Sequence, residues 1–232
     1  MWLGRWLQIG PRDAESPLIE ELLHLHDFVN LILLFVISAV GIIMIFIGSN
    51  KYINKNFIEA QVIEGVWTGF PVVFLTHIAL PSLFLLYLLD ERASSFASLK
   101  AIGHQWFWSY EITDYWNRGV SPEEWESYIL RSDALIGGET RLLEADQRVV
   151  VPYGVRVRAL VSSVDVLHSW TVPSLGVKRD AVPGHLNQAQ FLAQRPGVFY
   201  GQCSEICGSQ HRFMPIVVEV INLKDYLLIL CE

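Results

Sequence analysis

Two long uncharged runs constrain this chain more than any other feature. Residues 28–50 carry no charged side chain, and neither do residues 65–89. A helix rising 1.5 Å per residue needs about 20 apolar residues to cross the ~30 Å hydrocarbon core. Both runs meet that length and are too long for core strands, so they predict a transmembrane helical hairpin. The second run contains Pro71, His77 and Pro81. Membrane helices tolerate such prolines where neighbouring groups satisfy the freed carbonyls. The connecting segment, 51–64, holds Lys51 and Lys55. Cationic side chains in a short loop place it on the inner side of the membrane. Both termini, and everything after Asp90, then lie on the outer side. Residues 1–23 are expected to remain as an N-terminal arm. They contain Asp13, Glu15, Glu20 and Glu21, and the apolar run that follows is too long and too late for a secretory signal. The expected division is an arm at 1–23, the hairpin at 24–90 and a soluble domain at 91–232.

The chain has 232 residues, 52% of them hydrophobic, which accommodates one sizeable soluble domain beside the membrane part. Its formal charge of -7 argues against nucleic acid as a partner and suits a basic one. Beyond residue 90, short apolar alternations recur at 99–110, 126–131, 147–151, 155–163, 187–194, 197–203 and 214–222. Gly137-Gly138, Pro152, Gly154, Pro183-Gly184 and Pro196-Gly197 separate them. Short strands divided by turn formers predict an all-β sandwich or barrel. The polar stretch 115–125 reads as a surface loop, and 223–232 as a short terminal helix.

The densest chemistry lies in 201–215. Cys203 and Cys207 stand four residues apart, His211 follows four residues later, and Met214 three after that. Thiolate, imidazole and thioether form the soft donor set that selects copper over magnesium, calcium or manganese. One Cys, one His and one Met would suit a mononuclear blue-copper site. Cys203 is a thiolate beyond that need, and two bridging thiolates would make a dinuclear centre instead. A disulfide or thiol redox pair would account for both cysteines but not for His211 and Met214. A zinc site would leave Met214 without a role, since zinc takes Cys, His and carboxylate. A dinuclear centre asks for a second imidazole, and His168, in Asp165-Val166-Leu167-His168-Ser169-Trp170, is the candidate. Cys231 has no evident part.

Two more features bear on function. Trp106, Phe107, Trp108 and Tyr110 crowd into five residues. On one strand of period two they cannot all face the core, so at least one ring is expected to face outward. Glu64 opens the second uncharged run. It reads either as a solvated interfacial carboxylate or as an acid that admits protons, because carboxylates beside membrane interiors often mark such paths.

The loop, the hairpin and the aromatic run together resemble subunit 2 of the haem–copper cytochrome c oxidases, in its mitochondrial form. The motifs that carry the resemblance are Gly103-His104-Gln105-Trp106, the run from Asp165 to Trp170, Pro183-Gly184-His185-Leu186-Asn187-Gln188, and the residues from Gly201 to Met214. The resemblance implies a membrane-anchored chain with a cupredoxin-like Greek-key β-barrel on a two-helix hairpin. It implies two copper ions in a dinuclear CuA centre, bridged by Cys203 and Cys207. His168 and His211 would each bind one copper, with Met214 and the Glu205 carbonyl as weak ligands. The Glu205 side chain would reach a magnesium ion shared with subunit 1. Trp106 matches the aromatic through which cytochrome c delivers its electron, and Glu64 the carboxylate at the mouth of a proton path. Glu111, Asp114 and Asp165 resemble the acids that face the lysines of cytochrome c. The implied setting is the mitochondrial inner membrane, with the barrel in the intermembrane space and oxygen reduction in subunit 1.

The chain departs from that pattern at four positions. Relatives usually carry tyrosine at Phe107, arginine at Phe84 and His185, and an acid at Val164. A membrane-anchored copper chaperone for oxidase assembly is the competing reading. Such proteins also use paired cysteines and a histidine, but they need neither Met214 nor the aromatic run. A quinol oxidase subunit would share the hairpin and barrel without the cysteines.

Overall fold

The computed structural model describes residues 7–56, 58–91, 93–112 and 124–230. It divides into two compact units, one of Glu21–Leu88 and one of Met1–Glu20 with Leu89–Glu232. Cys231, Asp114 and most of the 115–125 stretch lie outside the described residues.

Both uncharged runs fold as helices, α1 (Pro17–Ser49) and α2 (Gln61–Asp90). Proline at the first helical position costs no hydrogen bond. Ser16 caps α1, its Oγ accepting the Ile19 amide at 3.3 Å. Within the helical unit, Phe35 packs on Phe70 and Phe74 with ring centroids 6.4 and 5.7 Å away. Elsewhere Leu34, Ile45, Leu75 and Phe84 are exposed, as in a span whose apolar surface runs all round. Pro71 and Pro81 lie inside α2. Thr68, Thr76 and Ser82 hydroxyls donate to carbonyls four residues back, at 2.7–2.9 Å. His77 Nδ1 lies 2.7 Å from the Val73 carbonyl. A helix in lipid needs such internal partners, since no water can supply them.

Among its described residues the second unit carries ten strands: β1 (Ala97–His104), β2 (Phe107–Ile112), β3 (Glu124–Ser127), β4 (Val149–Pro152), β5 (Arg156–Ser163), β6 (His168–Val172), β7 (Val177–Ala181), β8 (Asn187–Leu192), β9 (Gly197–Gln202) and β10 (Pro215–Ile221). Helix α3 (Leu223–Ile229) closes it, as the sequence predicts. Among the described residues the ladders form three sheets, ordered β3-β2-β1-β5-β8, β4-β10-β9 and β6-β7. The cupredoxin-like domain is therefore bonded, in its described residues, as three sheets around a main core, with a small second cluster at Ala145, Tyr200 and Val217. Parallel pairing of β1 with β5 and of β4 with β10 sets the crossovers. Alternation decides each inner face: Val157, Ala159 and Val161 of β5 are buried between half-buried neighbours. They meet Trp108, Tyr110, Trp170 and Phe199, each almost without exposed surface.

Three expectations change. The alternation 99–110 is two strands, because the chain turns at Gln105-Trp106 and β1 pairs back on β2, with His104 opposite Phe107. The β6–β7 hairpin has no counterpart among the expected strands. Glu124 and Trp125, expected in the loop, open β3.

Candidate metal centre

The site sits where the ends of β1, β6 and β9 meet the loop that leads to β10. His168 is the first residue of β6, and Cys203 follows the last residue of β9. The loop 203–214 returns the chain to β10 through a short 3-10 turn, His211–Phe213. Cys203, Cys207, Met214 and His168 are all buried. Both cysteines are free thiols.

The ligand atoms of His168, Cys203 and Cys207 all lie within 4.8 Å of one another. His168 Nδ1 faces Cys203 Sγ at 3.9 Å. His211 stands outside that group, its Nδ1 3.4 Å from Cys207 Sγ. Met214 Sδ is 3.5 Å from the same sulfur. The Glu205 carbonyl lies 3.3 Å from Cys203 Sγ. The donors thus run imidazole, thiol, thiol, imidazole, with thioether on the Cys207 side and a carbonyl on the Cys203 side. This soft set, buried except for the half-buried His211, fits copper.

The surroundings fix these groups. A Cβ on Gly103 would come within 2.7 Å of the His168 ring, so only glycine lets β1 pass beneath it. Asp165 Oδ1 holds His168 Nε2 at 2.8 Å, which turns Nδ1 towards the sulfurs. Its Oδ2 accepts the Gln105 amide at 2.7 Å. Gln105 Nε2 donates to the Cys207 carbonyl at 2.7 Å, and Trp106 Nε1 to the same oxygen at 3.3 Å. Gly208, at φ +127, leaves space for that indole.

The electrostatics divide the two thiols. Burial works against the Cys203 thiolate, but bonds with His168 and the loop backbone outweigh it and lower its pKa. For His168, burial disfavours the charged ring, yet Cys203 and Asp165 raise its pKa. Burial, and then the charge of Cys203, push Cys207 up to about 12. For Asp165, burial is outweighed by bonds from His168 and from the Val166 and Gln105 amides, which lower its pKa.

The structure brings His168, Cys203, the Glu205 carbonyl, Cys207, His211, Met214 and Trp106 together. Glu64 belongs to the helical unit and is exposed in the first turn of α2, where a carboxylate complements the helix dipole. Trp106 is half-buried and lies on the turn between β1 and β2, not on a strand. The parity argument therefore does not apply to it: the turn, not strand alternation, sets it at the edge of the core, packed against it and partly exposed. Trp108 and Tyr110 do share the inner face, while Phe107 stacks outside between His104 and Tyr128, at 4.4 and 4.5 Å. Two expected docking acids are engaged elsewhere. Asp165 orients His168, and Glu111 pairs with Lys100 at 2.8 Å. The sequence reading missed Gly103 and Gln105 as cradle residues. The Gly103-His104-Gln105-Trp106 motif that contains them was the available signal.

Comparison with known proteins identifies the arrangement. The family model described as the periplasmic domain of cytochrome c oxidase subunit II matches residues 97–221, and the model of its transmembrane domain matches residues 4–85. The chain belongs to the cytochrome c oxidase subunit II family. The periplasmic domain of subunit II of the Bradyrhizobium japonicum cytochrome oxidase is 38% identical to it, with a TM-score of 0.54, over 60% of this chain and 93% of that one. A subunit II of cytochrome c oxidase, caught in a mixed disulfide with a thioredoxin-like protein, is 36% identical, with a TM-score of 0.51, over 61% of this chain and 92% of that one. As a member of the subunit II family, the chain is a subunit of an oxidase and works beside other oxidase subunits. Two membrane-spanning helices anchor it, and its sheet-rich domain, of the periplasmic type, lies on the outer side.

Proposed function

We propose that this subunit is where electrons from cytochrome c enter a mitochondrial cytochrome c oxidase, at a dinuclear CuA centre. The observation that carries this reading is the order of donors: two imidazoles at opposite ends of a buried thiol pair. Cys203 and Cys207 would bridge two copper ions, His168 and His211 would each hold one, and Met214 and the Glu205 carbonyl would be weak ligands. Two coppers sharing two thiolates supply one delocalised electron with little change in bond length. The protein's part is to fix the donors. Asp165 and Gly103 hold His168, Gln105 and Trp106 hold the Cys207 carbonyl, and burial keeps water from the sulfurs. The Glu205 side chain, half-buried in the same loop, is the proposed magnesium ligand at the boundary with subunit 1.

Trp106 is the proposed port, since its indole joins the outer surface to the Cys207 carbonyl. The loops that carry the ligands also expose Val164, Val166, Leu167 and Ile206. With Glu111 and Asp165 already engaged, contact with cytochrome c rests more on this apolar ground than on a ring of acids. Glu64 is the proposed mouth of a proton path, and Glu64→Gln is expected to slow proton uptake while sparing the copper spectrum. The proposed division remains an arm at 1–23, the hairpin at 24–90 and the CuA domain at 91–232. The deciding experiment is metal analysis and electron-spin resonance on the assembled oxidase. Two coppers in this subunit, sharing one unpaired electron over both nuclei, are expected. One copper with the signature of an isolated blue-copper site overturns the reading.

A further inference from the structure

The ligand-bearing strands β6 and β9 lie side by side but belong to different ladders: β6 bonds to β7, and β9 to β10. At their upper ends the Ser204 amide donates to the Ser169 carbonyl at 3.1 Å. Midway, Gly201 passes so close that a Cβ there would run into the Thr171 carbonyl. Among the described residues no ladder joins them, so their register rests on these contacts and on what holds their lower ends.

The N-terminal arm lies there. The Glu15 amide donates to the Ser174 carbonyl, just beyond β6, at 3.1 Å. The Glu15 carbonyl accepts the Gln194 amide, just before β9, at 2.9 Å. Its carboxylate, without exposed surface, takes Arg195 Nε at 2.8 Å and Nη2 at 2.6 Å. Ser16 Oγ donates to the Leu175 carbonyl at 2.7 Å, and Ile19 covers Gly176, where a Cβ would stand 3.1 Å from its own. One residue thereby bonds to the foot of the strand that starts at His168 and to the foot of the strand that leads to Cys203.

We propose that the N-terminal arm is a strap, with Glu15 its positioning residue, that sets the distance between the His168 and Cys203 ends of the copper site from the opposite end of β6 and β9. The role in copper binding rests on the function proposed above. Metal sites need their donors held to within about 0.5 Å, and strands without a shared ladder do not supply that by themselves. Glu15 is buried while Arg195 is 54% exposed, so it is the loss of Arg195 that leaves an uncompensated buried charge.

The test uses the full chain in the assembled oxidase, with Glu15→Ala, Arg195→Ala and the neutral isostere Glu15→Gln. Amide exchange is followed at Gln194, at Ser204 and at Ala159 of β5, which serves as a reference in another sheet. Copper loss to a chelator is followed in parallel. In Glu15→Ala, exchange at Gln194 and Ser204 should rise about tenfold or more relative to Ala159, and copper should leave roughly 10–100 times faster, the usual scale for losing a group that orients a ligand. Glu15→Gln, which keeps the side chain's shape and one acceptor oxygen for Arg195, should fall between wild type and Glu15→Ala. A uniform rise at all three amides makes the arm a general stabiliser and overturns the proposal. So does a rise at Gln194 alone, with Ser204 and copper loss unchanged. If the wild-type subunit binds no copper, the function proposed above fails, while the ratio of Ser204 to Ala159 exchange still decides whether the strap couples the two strands.

Discussion

At the scale of single residues, the site depends on how His168 is cradled. Gly103→Ala drives a methyl group into the His168 ring. Forcing one carbon into a close-packed site costs about 1–3 kcal/mol. The expected result is lower stability by denaturant titration and, on the dinuclear centre proposed above, loss of copper from the His168 side with the Cys207–His211 side still populated. Asp165→Asn keeps the shape but leaves one acceptor oxygen for two donors, so either His168 Nε2 or the Gln105 amide loses its partner. Copper affinity should fall by roughly 10–100-fold, read by competition with a chelator. Trp106→Phe removes the bond to the Cys207 carbonyl and the indole at the surface. First-order electron transfer from bound cytochrome c should drop, with binding close to normal; the opposite result makes Trp106 a docking residue. The donors themselves were legible, because thiols, imidazole and thioether at such short spacing suit little besides a soft metal ion. The orienting role of Asp165 was not, since no spacing rule shows that a carboxylate three residues before a histidine turns back on it.

At the scale of elements, the helices were legible because lipid forbids charge, and nothing else in the chain imitates their length. The β6–β7 hairpin was not. Its second strand, Lys178, Arg179 and Asp180 between Val177 and Ala181, is polar at three successive positions, and only its ends are buried. The turn at Gln105-Trp106 was hidden for a related reason: aromatic residues continue across it. One element also predicts a pH dependence. Tyr200 of β9 donates to Glu144 Oε2 at 2.9 Å, and Glu144 is almost wholly buried. Burial, and then that carboxylate, push the Tyr200 phenol up to about 12. The folded state holds this proton more tightly than the unfolded chain, whose phenol titrates near 10. Its contribution is complete below about pH 10 and is lost as pH rises towards about 12. Thermal unfolding should therefore show a fall in that window which Tyr200→Phe reduces, with lower stability near neutrality because Glu144 Oε2 loses its donor while Oε1 stays paired with Arg148.

At the scale of the whole molecule, topology follows from two independent constraints. Lys51 and Lys55 place the short connection between the helices on the inner side. The arm packs into the sheet-rich domain through Glu15, Ser16 and Ile19, so the start of α1 and everything after α2 share one side. An even number of crossings satisfies both. That agreement was only half visible in the sequence, because Glu15 and Arg195 stand 180 residues apart and neither belongs to a motif. The prediction is a pattern of proteolysis. In membranes sealed with the outer side exposed, added protease should cut the sheet-rich domain and leave the connection near Asn54 intact. In inverted vesicles the connection should be cut, and the domain spared. Replacing both lysines by glutamine weakens the first constraint but not the second. The arm can reach Ser174 and Gln194 only from the domain's own side, so the variant that folds should keep the wild-type pattern. Cleavage of both regions from one side in the wild-type chain would mean that the two helices do not both cross, and the hairpin would have to be redrawn.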